Sequence, residues 1–344
     1  MFNQKENISV ILKTLVEQKK QDTVPIWFMR QAGRYLPEYQ EVMKDKNDFL
    51  EVCYSPELVE ELTLQPINRF NLDAAIIFSD IMVIPDALGF KVEFIRGVGP
   101  KISNCEIKDA RTVDFLEKLN PVFESIKRVR NVLPRSKSLI GFAGAPWTTA
   151  TYILGKSKKI TDLIVSHRSG KRNVSELIQL ITEFTITYLD KQIESGADIL
   201  QIFDSNASGL PVDMFREFII APTKKIVSEL KKKHPLVPII GFPKGAGSLY
   251  IEYSMATSVD ATSADYSVPI EWISNNICGV VQGNLDPYLL AYDIDSALKD
   301  ASVIMRSCAN KPFIFNLGHG VLPITPVENV ANLVDFVRNF ENLC

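Results

Sequence analysis

The chain is poor in the residues that build metal centres and covalent frames. It has only three histidines, His167, His234 and His319, so a His-rich metal site is not expected. Its five cysteines, Cys53, Cys105, Cys278, Cys308 and Cys344, are scattered, odd in number and free of any CxxC spacing. That argues against a disulfide frame or a zinc ribbon and suits a reducing compartment. There is no basic surplus, the formal net charge being −3. A general binder of nucleic acid or of an anionic membrane surface would need one. An anionic substrate must therefore be held by a few placed arginines or lysines. The stretch Met1 to Val10 carries Lys5 and Glu6 and has no apolar core before a small-residue cleavage site, so no signal peptide is expected. The longest uncharged stretch, Ser138 to Gly155, contains Gly141, Gly144 and Pro146 and reads as a buried strand plus loop, not a membrane span. A cytoplasmic protein without a nucleic-acid or membrane partner is the expectation.

No Gly/Ser/Pro-rich linker and no low-complexity block divides the 344 residues. Length alone allows two domains, but α/β barrels run to about 250–400 residues as one. What recurs is a short apolar run ending in small or polar residues and followed by a helical pattern. Eight such runs stand out: Pro25–Met29, Ala74–Phe78, Leu139–Phe142, Ile199–Phe203, Val237–Phe242, Val259–Ser263, Gly279–Gln282 and Pro312–Phe315. Continuous apolar runs suit strands buried on both faces, as in parallel sheets. Between them, Leu177, Ile178, Ile181, Phe184, Tyr188 and Leu189 recur at helical spacing. Ser55-Pro56-Glu57 reads as a helix start, and Thr325-Pro326-Val327-Glu328 as a capping box with proline first in the helix. The expected fold is α/β, a single-domain (β/α)₈ barrel over residues 1–344. The alternative is a doubly wound open sheet, which usually carries a Gly-rich phosphate turn after its first strand. Met29-Arg30-Gln31-Ala32-Gly33-Arg34 is not one.

A barrel places its active site at the C-terminal ends of the strands. Read that way, the eight ends offer Arg30 and Arg34; Ser79 and Asp80; Gly144, Pro146 and Trp147; Asp204, Ser205 and Asn206; Lys244; Asp265 and Tyr266; Gln282 and Asn284; Asn316 and His319. Arg30 and Arg34 would share a face of a helical turn, and paired guanidiniums suit a carboxylate or phosphate. The plainer alternative is two surface arginines paired with Glu38 or Glu41. Asp80 follows an apolar run, so it should be shielded and able to stabilise a developing cation; the alternative is a helix cap or a local ion pair. His319 lies between Gly318 and Gly320, which would let backbone approach a ligand closely. Lys244 could be a Schiff-base lysine, but its Gly/Pro surroundings suggest an open loop without that role. Trp147 and Tyr152 read first as packing groups. His234 reads as a solvated helix end, and His167 has no assigned role. Gly155-Lys156-Ser157 lacks the upstream glycine of a P-loop, and Gly97-Val98-Gly99 lacks the third glycine of a dinucleotide turn.

Several of these segments together resemble a known family. Pro25 to Glu38 (PIWFMRQAGRYLPE), Gly141 to Thr148 (GFAGAPWT), Leu72 to Asp80, Gln282 to Pro287 and Asn316 to Gly320 are similar, in order, to motifs of the uroporphyrinogen decarboxylase family. The resemblance spans nearly the whole chain. It implies a homodimeric barrel enzyme, without metal or organic cofactor, that removes carbon dioxide from the four acetate side chains of uroporphyrinogen to give coproporphyrinogen. By position it implies substrate contacts at Arg30, Gln31, Ala32, Gly33, Arg34, Asp80, Tyr152, Ser205 and His319. It makes Asp80 the transition-state stabiliser and places Arg30, Arg34 and Tyr152 beside it as catalytic residues. The proton donor stays open between Arg30, His319, Tyr152 and a water. The chain departs from the family pattern at Asn206, Ser208 and Asp265-Tyr266. Two other readings compete: a corrinoid-linked methyltransferase of related barrel form, which needs a zinc-binding His/Cys set, and a non-catalytic tetrapyrrole-binding module.

Overall fold

The structure, a computed structural model, describes residues 8–46, 48–95, 99–103, 112–155, 160–170 and 174–340. Gly97-Val98, Lys156-Ser157, Cys105 and Cys344 lie outside the described residues.

Seven of the eight apolar runs form strands of one parallel sheet. In chain order the strands are β1 (Ala74–Ile76), β2 (Lys91–Ile95), β3 (Gly99–Ser103), β4 (Ser138–Gly144), β5 (Ile199–Asp204), β6 (Ile239–Pro243), β7 (Ala261–Ser263), β8 (Val280–Leu285) and β9 (Phe313–Leu317). The sheet runs β1-β4-β5-β6-β7-β8-β9, and β2 pairs with β3 in a separate antiparallel hairpin. Every residue of the seven sheet strands is buried except Phe203, which is half-buried. This is the burial their unbroken hydrophobicity requires. The hairpin is an element the apolar runs did not show. Lys91-Val92-Glu93-Phe94-Ile95 alternates polar and apolar, the signal of a one-sided strand.

The sheet is curled. The Trp27 indole donates to Gln282 Oε1 on β8 (2.9 Å), and Gln282 Nε2 donates to Gln201 Oε1 on β5 (3.2 Å) and to Ser263 Oγ on β7 (3.1 Å). Strands β5 and β8 are three places apart, about 14 Å in a flat sheet. A direct side-chain bond between them requires strong curvature.

The first run, Pro25–Met29, was expected to be a strand but makes only a single bridge, Ile26 with Phe315. Its backbone lies between the two ends of the sheet. Phe315 N donates to Pro25 O (2.8 Å) and Asp73 N, one residue before β1, donates to Ile26 O (3.0 Å). Beyond Trp27 the ladder is replaced by side chains: Phe28 N donates to Gln31 Oε1 and Met29 N to Asn316 Oδ1. These amides satisfy the backbone while letting the chain turn away at Arg30.

Helices pack on the convex side. Val174–Glu194 buries Leu177, Ile178, Ile181, Phe184, Tyr188 and Leu189, the stripe expected from spacing. Pro56–Phe70 starts with proline directly after Ser55, as read. The last helix buries Val330, Leu333, Val334 and Val337 but begins at Val327, with Pro326 preceding it. Thr325 Oγ1 is buried with no partner among the described residues, so the expected capping box is not made.

Asp73 holds the first segment twice over. Its Oδ2 accepts from Ile26 N (2.7 Å) and from the Arg338 guanidinium (2.8 Å). Asp73→Ala should lower the unfolding free energy by about 2 kcal/mol, the scale of charged hydrogen bonds, in urea denaturation. An unchanged midpoint would mean that this carboxylate does not hold the segment.

Candidate active site

The strand ends are locked to one another around the mouth of the curled sheet. Met82 N donates to Asp80 Oδ1 (2.9 Å), and Ile81 packs so close to Gly144 that a Cβ there would lie 2.9 Å away. Helix Pro146–Ile153, which carries Tyr152, is tied to the β5 loop: Thr148 Oγ1 donates to Asp204 Oδ1, and Asn206 donates to Thr148 Oγ1 through its backbone and to Thr151 Oγ1 through its amide. Trp147, fully buried and stacked on Phe218, donates its indole N–H to Asn206 O (2.9 Å). Lys244 N donates to Asp204 O (3.1 Å), and Gly245 N to Asp265 Oδ2 (2.6 Å). Asn284 Nδ2 donates to Asp265 O, and Gly318 N to Leu285 O. Val321 N closes the ring on Met29 O, next to Arg30.

Several expectations need correction within this ring. Arg30 and Arg34 do not share a helix: they lie on a turn with Arg30 at φ +59°, and the helix begins only at Pro37. Their surface-pair alternative is also not realised. Glu38 forms a bidentate pair with Arg69 (2.7 and 2.8 Å) and Glu41 faces Lys44, while neither Arg30 nor Arg34 pairs with a carboxylate among the described residues. The glycines around His319 make room for the chain itself. A Cβ on Gly318 would strike Tyr266 N at 2.3 Å, and one on Gly320 would strike Arg30 Cδ at 2.3 Å. Gly320 thus lets the arginine stem lie across the His319 loop. Asp204 is turned away from the mouth, fully buried against Thr148. Burial pushes its carboxyl up to about 7, and the Thr148 bonds only partly offset this.

The remaining positions fall as follows. The Gln31 side chain is buried and spent on the turn, accepting from Phe28 N and donating to Ala74 O. Ala32, Gly33, Tyr152, Ser205 and His319 are half-buried, and Arg30 and Arg34 are exposed. Asn206, one of the departures from the family pattern, works as a tie between two loops. Asp265, another, accepts from Gly245 N, Tyr250 Oη and Ser267 N, and these bonds outweigh burial to hold its carboxyl below the usual range. His234 is not simply solvated: it bonds Asp190 at 2.7 Å.

The electrostatics single out two groups. Burial pushes the Asp80 carboxyl up to about 6, opposed by the Met82 N–H and by the Arg30 charge. It lies deep yet keeps some accessible surface. No described residue bonds its second oxygen. His319 is driven down to about 3 by burial and by the charges of Arg30 and Lys244, which outweigh Asp265. At neutral pH it is an uncharged imidazole, a hydrogen-bonding group rather than an acid. An apolar wall stands beside Asp80, where Phe78 packs edge-on against Tyr39 and Phe49. The chemistry available is therefore a shielded anion, unpaired cations at the rim and a neutral imidazole. Among the described residues no group of three His, Cys, Asp or Glu side chains could hold a metal ion, and no helix is long and apolar enough to cross a membrane.

The fold and site define an α/β enzyme with a curled parallel sheet and its polar groups gathered at the strand ends. The uroporphyrinogen decarboxylase (URO-D) family matches residues 10–340, and the chain belongs to that family. The uroporphyrinogen decarboxylase of Wolbachia sp. subsp. Brugia malayi is 52% identical over 97% of each chain. That of Jannaschia sp. is 44% identical over 92% of this chain and 95% of its own. Among solved structures, a methyltransferase from Methanosarcina mazei superposes with a TM-score of 0.80, covering 96% of this chain and 98% of its own. At 20% identity it shares the fold alone. A B12-independent methionine synthase from Shewanella sp. is more distant, with a TM-score of 0.59 at 10% identity over 84% and 89% of the two chains.

The direction of the Asp80 shift fixes a stability effect. Its ordinary value is 3.8 and its folded value about 6, so the folded state binds the proton more tightly. Stability from this group is full below about pH 4 and is lost as pH rises through about 6, by at most about 3 kcal/mol. Asp80→Asn should therefore be more stable than wild type at pH 8, by about 1–3 kcal/mol, with the gap closing near pH 4. Equal thermal midpoints at pH 8 would refute a desolvated carboxylate.

Proposed function

We propose that this chain is a carboxy-lyase that decarboxylates the four acetate side chains of uroporphyrinogen III to coproporphyrinogen III, in haem biosynthesis. In this reading the curled sheet is a single-domain (β/α)₈ barrel over residues 1–344, closed through Pro25–Trp27. A cytoplasmic homodimer belongs to the same reading. The observation that carries it is Asp80: a desolvated carboxylate at the bottom of the mouth, with Arg30 beside it and unpaired cations at the rim.

The substrate carries eight carboxylates, whereas the protein is net negative, so local cations must hold it. Each charged hydrogen bond contributes about 1.5–3 kcal/mol. Arg30 and Arg34 have no carboxylate partner among the described residues to give up. Because the Gln31 amide is spent on the turn, the backbone of Gln31, Ala32 and Gly33 is what that segment offers a ligand. Tyr152, Ser205 and His319 supply neutral polar contacts.

Decarboxylation needs an electron sink, and a pyrrole becomes one when the ring carbon between nitrogen and the acetate-bearing carbon is protonated. The positive charge spreads toward nitrogen. The C–CO₂ bond then breaks, carbon dioxide leaves, and its electron pair forms an exocyclic double bond to the ring. A proton added at the methylene carbon makes the methyl group, and loss of the ring proton restores the pyrrole. Asp80 accepts hydrogen bonds from the pyrrole N–H groups and stabilises the ring cation, most strongly in a site with little water. Neutral His319 orients a carboxylate or a water; it does not supply the proton from an imidazolium.

Anaerobic incubation with uroporphyrinogen, oxidation and chromatography should show stepwise loss of four carboxylates. Asp80→Asn should cut turnover by at least about 10²-fold, the effect of removing one preorganised stabiliser. In wild type, kcat/KM should fall as pH drops below about 6, where Asp80 gains its proton, and the variant should lose that limb. Near-normal turnover in the variant would remove Asp80 from the mechanism. Arg34→Ala should raise KM about 10-fold or more with a smaller effect on kcat, and an unchanged KM would deny it a substrate contact.

A further inference from the structure

We propose that Lys244 is a third anchoring cation of this site, holding a substrate carboxylate across the mouth from Arg30. The proposal deepens the decarboxylase reading and rests on it.

Sequence alone suggested an open loop here, and the structure shows a pinned one. Lys244 directly follows β6. Its N–H donates to Asp204 O at the end of β5 and to Phe242 O, both at 3.1 Å. Gly245 N donates to Asp265 Oδ2, the oxygen that also takes the Tyr250 hydroxyl. Gly245 is at φ +77°, and a Cβ there would strike Ser208 Cβ at 2.6 Å. The Lys244 backbone is thus fixed between the Ser205 loop and Asp265. Just before it, the Phe242 ring lies against the His319 ring, with centroids 6.4 Å apart. This sets the end of β6 beside the loop over which Arg30 lies.

Lys244 is half-buried and has no carboxylate partner among the described residues. Several other sheltered basic groups in this chain are paired or bonded, although Lys13 and Lys311 are half-buried without a partner among the described residues. Lys231 meets Asp260 at 2.8 Å, Arg130 meets Asp198, and Lys137 donates to Asn71 Oδ1 and Leu72 O. Asp265, which accepts from the N–H of the residue after Lys244, already spends its oxygens on Gly245, Tyr250 and Ser267. A half-buried ammonium left unpaired at a cleft mouth is stabilised when an anion arrives. His319 senses Lys244 and Arg30 together, which places its ring within reach of both charges. A Schiff-base role is not part of the proposal, since the loop gives the amine no dry pocket of its own.

The test compares Lys244→Met, which keeps the stem, with Lys244→Arg, which keeps the charge. With uroporphyrinogen I under anaerobic conditions, Lys244→Met should lower kcat/KM at least about 10-fold, mainly through KM, and Lys244→Arg should recover most of it. Binding of uroporphyrin I, followed by fluorescence, should weaken to a similar degree and lose part of its salt dependence. The imidazole of His319, one of only three in the chain, should titrate higher by NMR in Lys244→Met, because a like charge has gone. An unchanged KM and uroporphyrin affinity in Lys244→Met, or no recovery in Lys244→Arg, would overturn the proposal. Failure of the wild type itself to release carbon dioxide would instead defeat the decarboxylase reading, while the uroporphyrin titration still judges Lys244 as an anion anchor.

Discussion

A carboxylate held away from water is costly to ionise, and this protein places one where only a cation can repay that cost. Asp80 has one backbone donor, Met82, and one nearby full charge, Arg30, and its folded value still sits near 6. The deficit is a standing preference for positive charge in the cleft. In the proposed mechanism, a ring that becomes cationic on the way to losing carbon dioxide supplies that charge transiently. Such a site would favour the transition state over the neutral ground state, which is the requirement for rate enhancement.

That preference is useful only if the surrounding groups stay in place, and the loops are built to hold them. Thr148, Asn206 and Trp147 join the β4 and β5 ends, Asp204 O and Asp265 hold the Lys244-Gly245 turn, and Asn284 holds the Asp265 loop. Their work is to fix backbone, so that the short side chains at the mouth need little reorganisation on binding. In the proposed reading, the arginines and the lysine, with long stems and no carboxylate partner among the described residues, adapt to a substrate with many acid groups.

The fold shows how far local pattern reaches. Seven apolar runs became strands because a segment hydrophobic on both faces has few stable places outside a covered parallel sheet. The first run did not, although it is as apolar as the others. Gln31, just beyond the run, and Asn316, 287 positions from Met29, take its backbone donors and turn the chain at Arg30. The β2–β3 hairpin was readable in its alternation but had no continuous apolar run to advertise it. The Lys244 turn departs from its linear reading for a related reason. Gly and Pro neighbours suggest mobility in a linear reading, whereas here they permit the close contacts that immobilise the turn.

From its amino acids alone, this chain could be assigned an α/β barrel-like plan, a mouth formed by strand ends, Asp80 and the arginine pair as its charged groups, and a family. Those follow from local periodicity and from motifs that are contiguous in the chain. Tertiary structure alone decided which polar residues serve the site and which serve the scaffold. Asp204 and Asp80 both end apolar runs, yet one is locked against Thr148 in the helix layer and the other faces Arg30. Glu38 could have neutralised an arginine of the mouth, but Arg69 claims it. Burial and pairing depend on residues dozens to hundreds of positions apart, and no local pattern encodes which partner arrives.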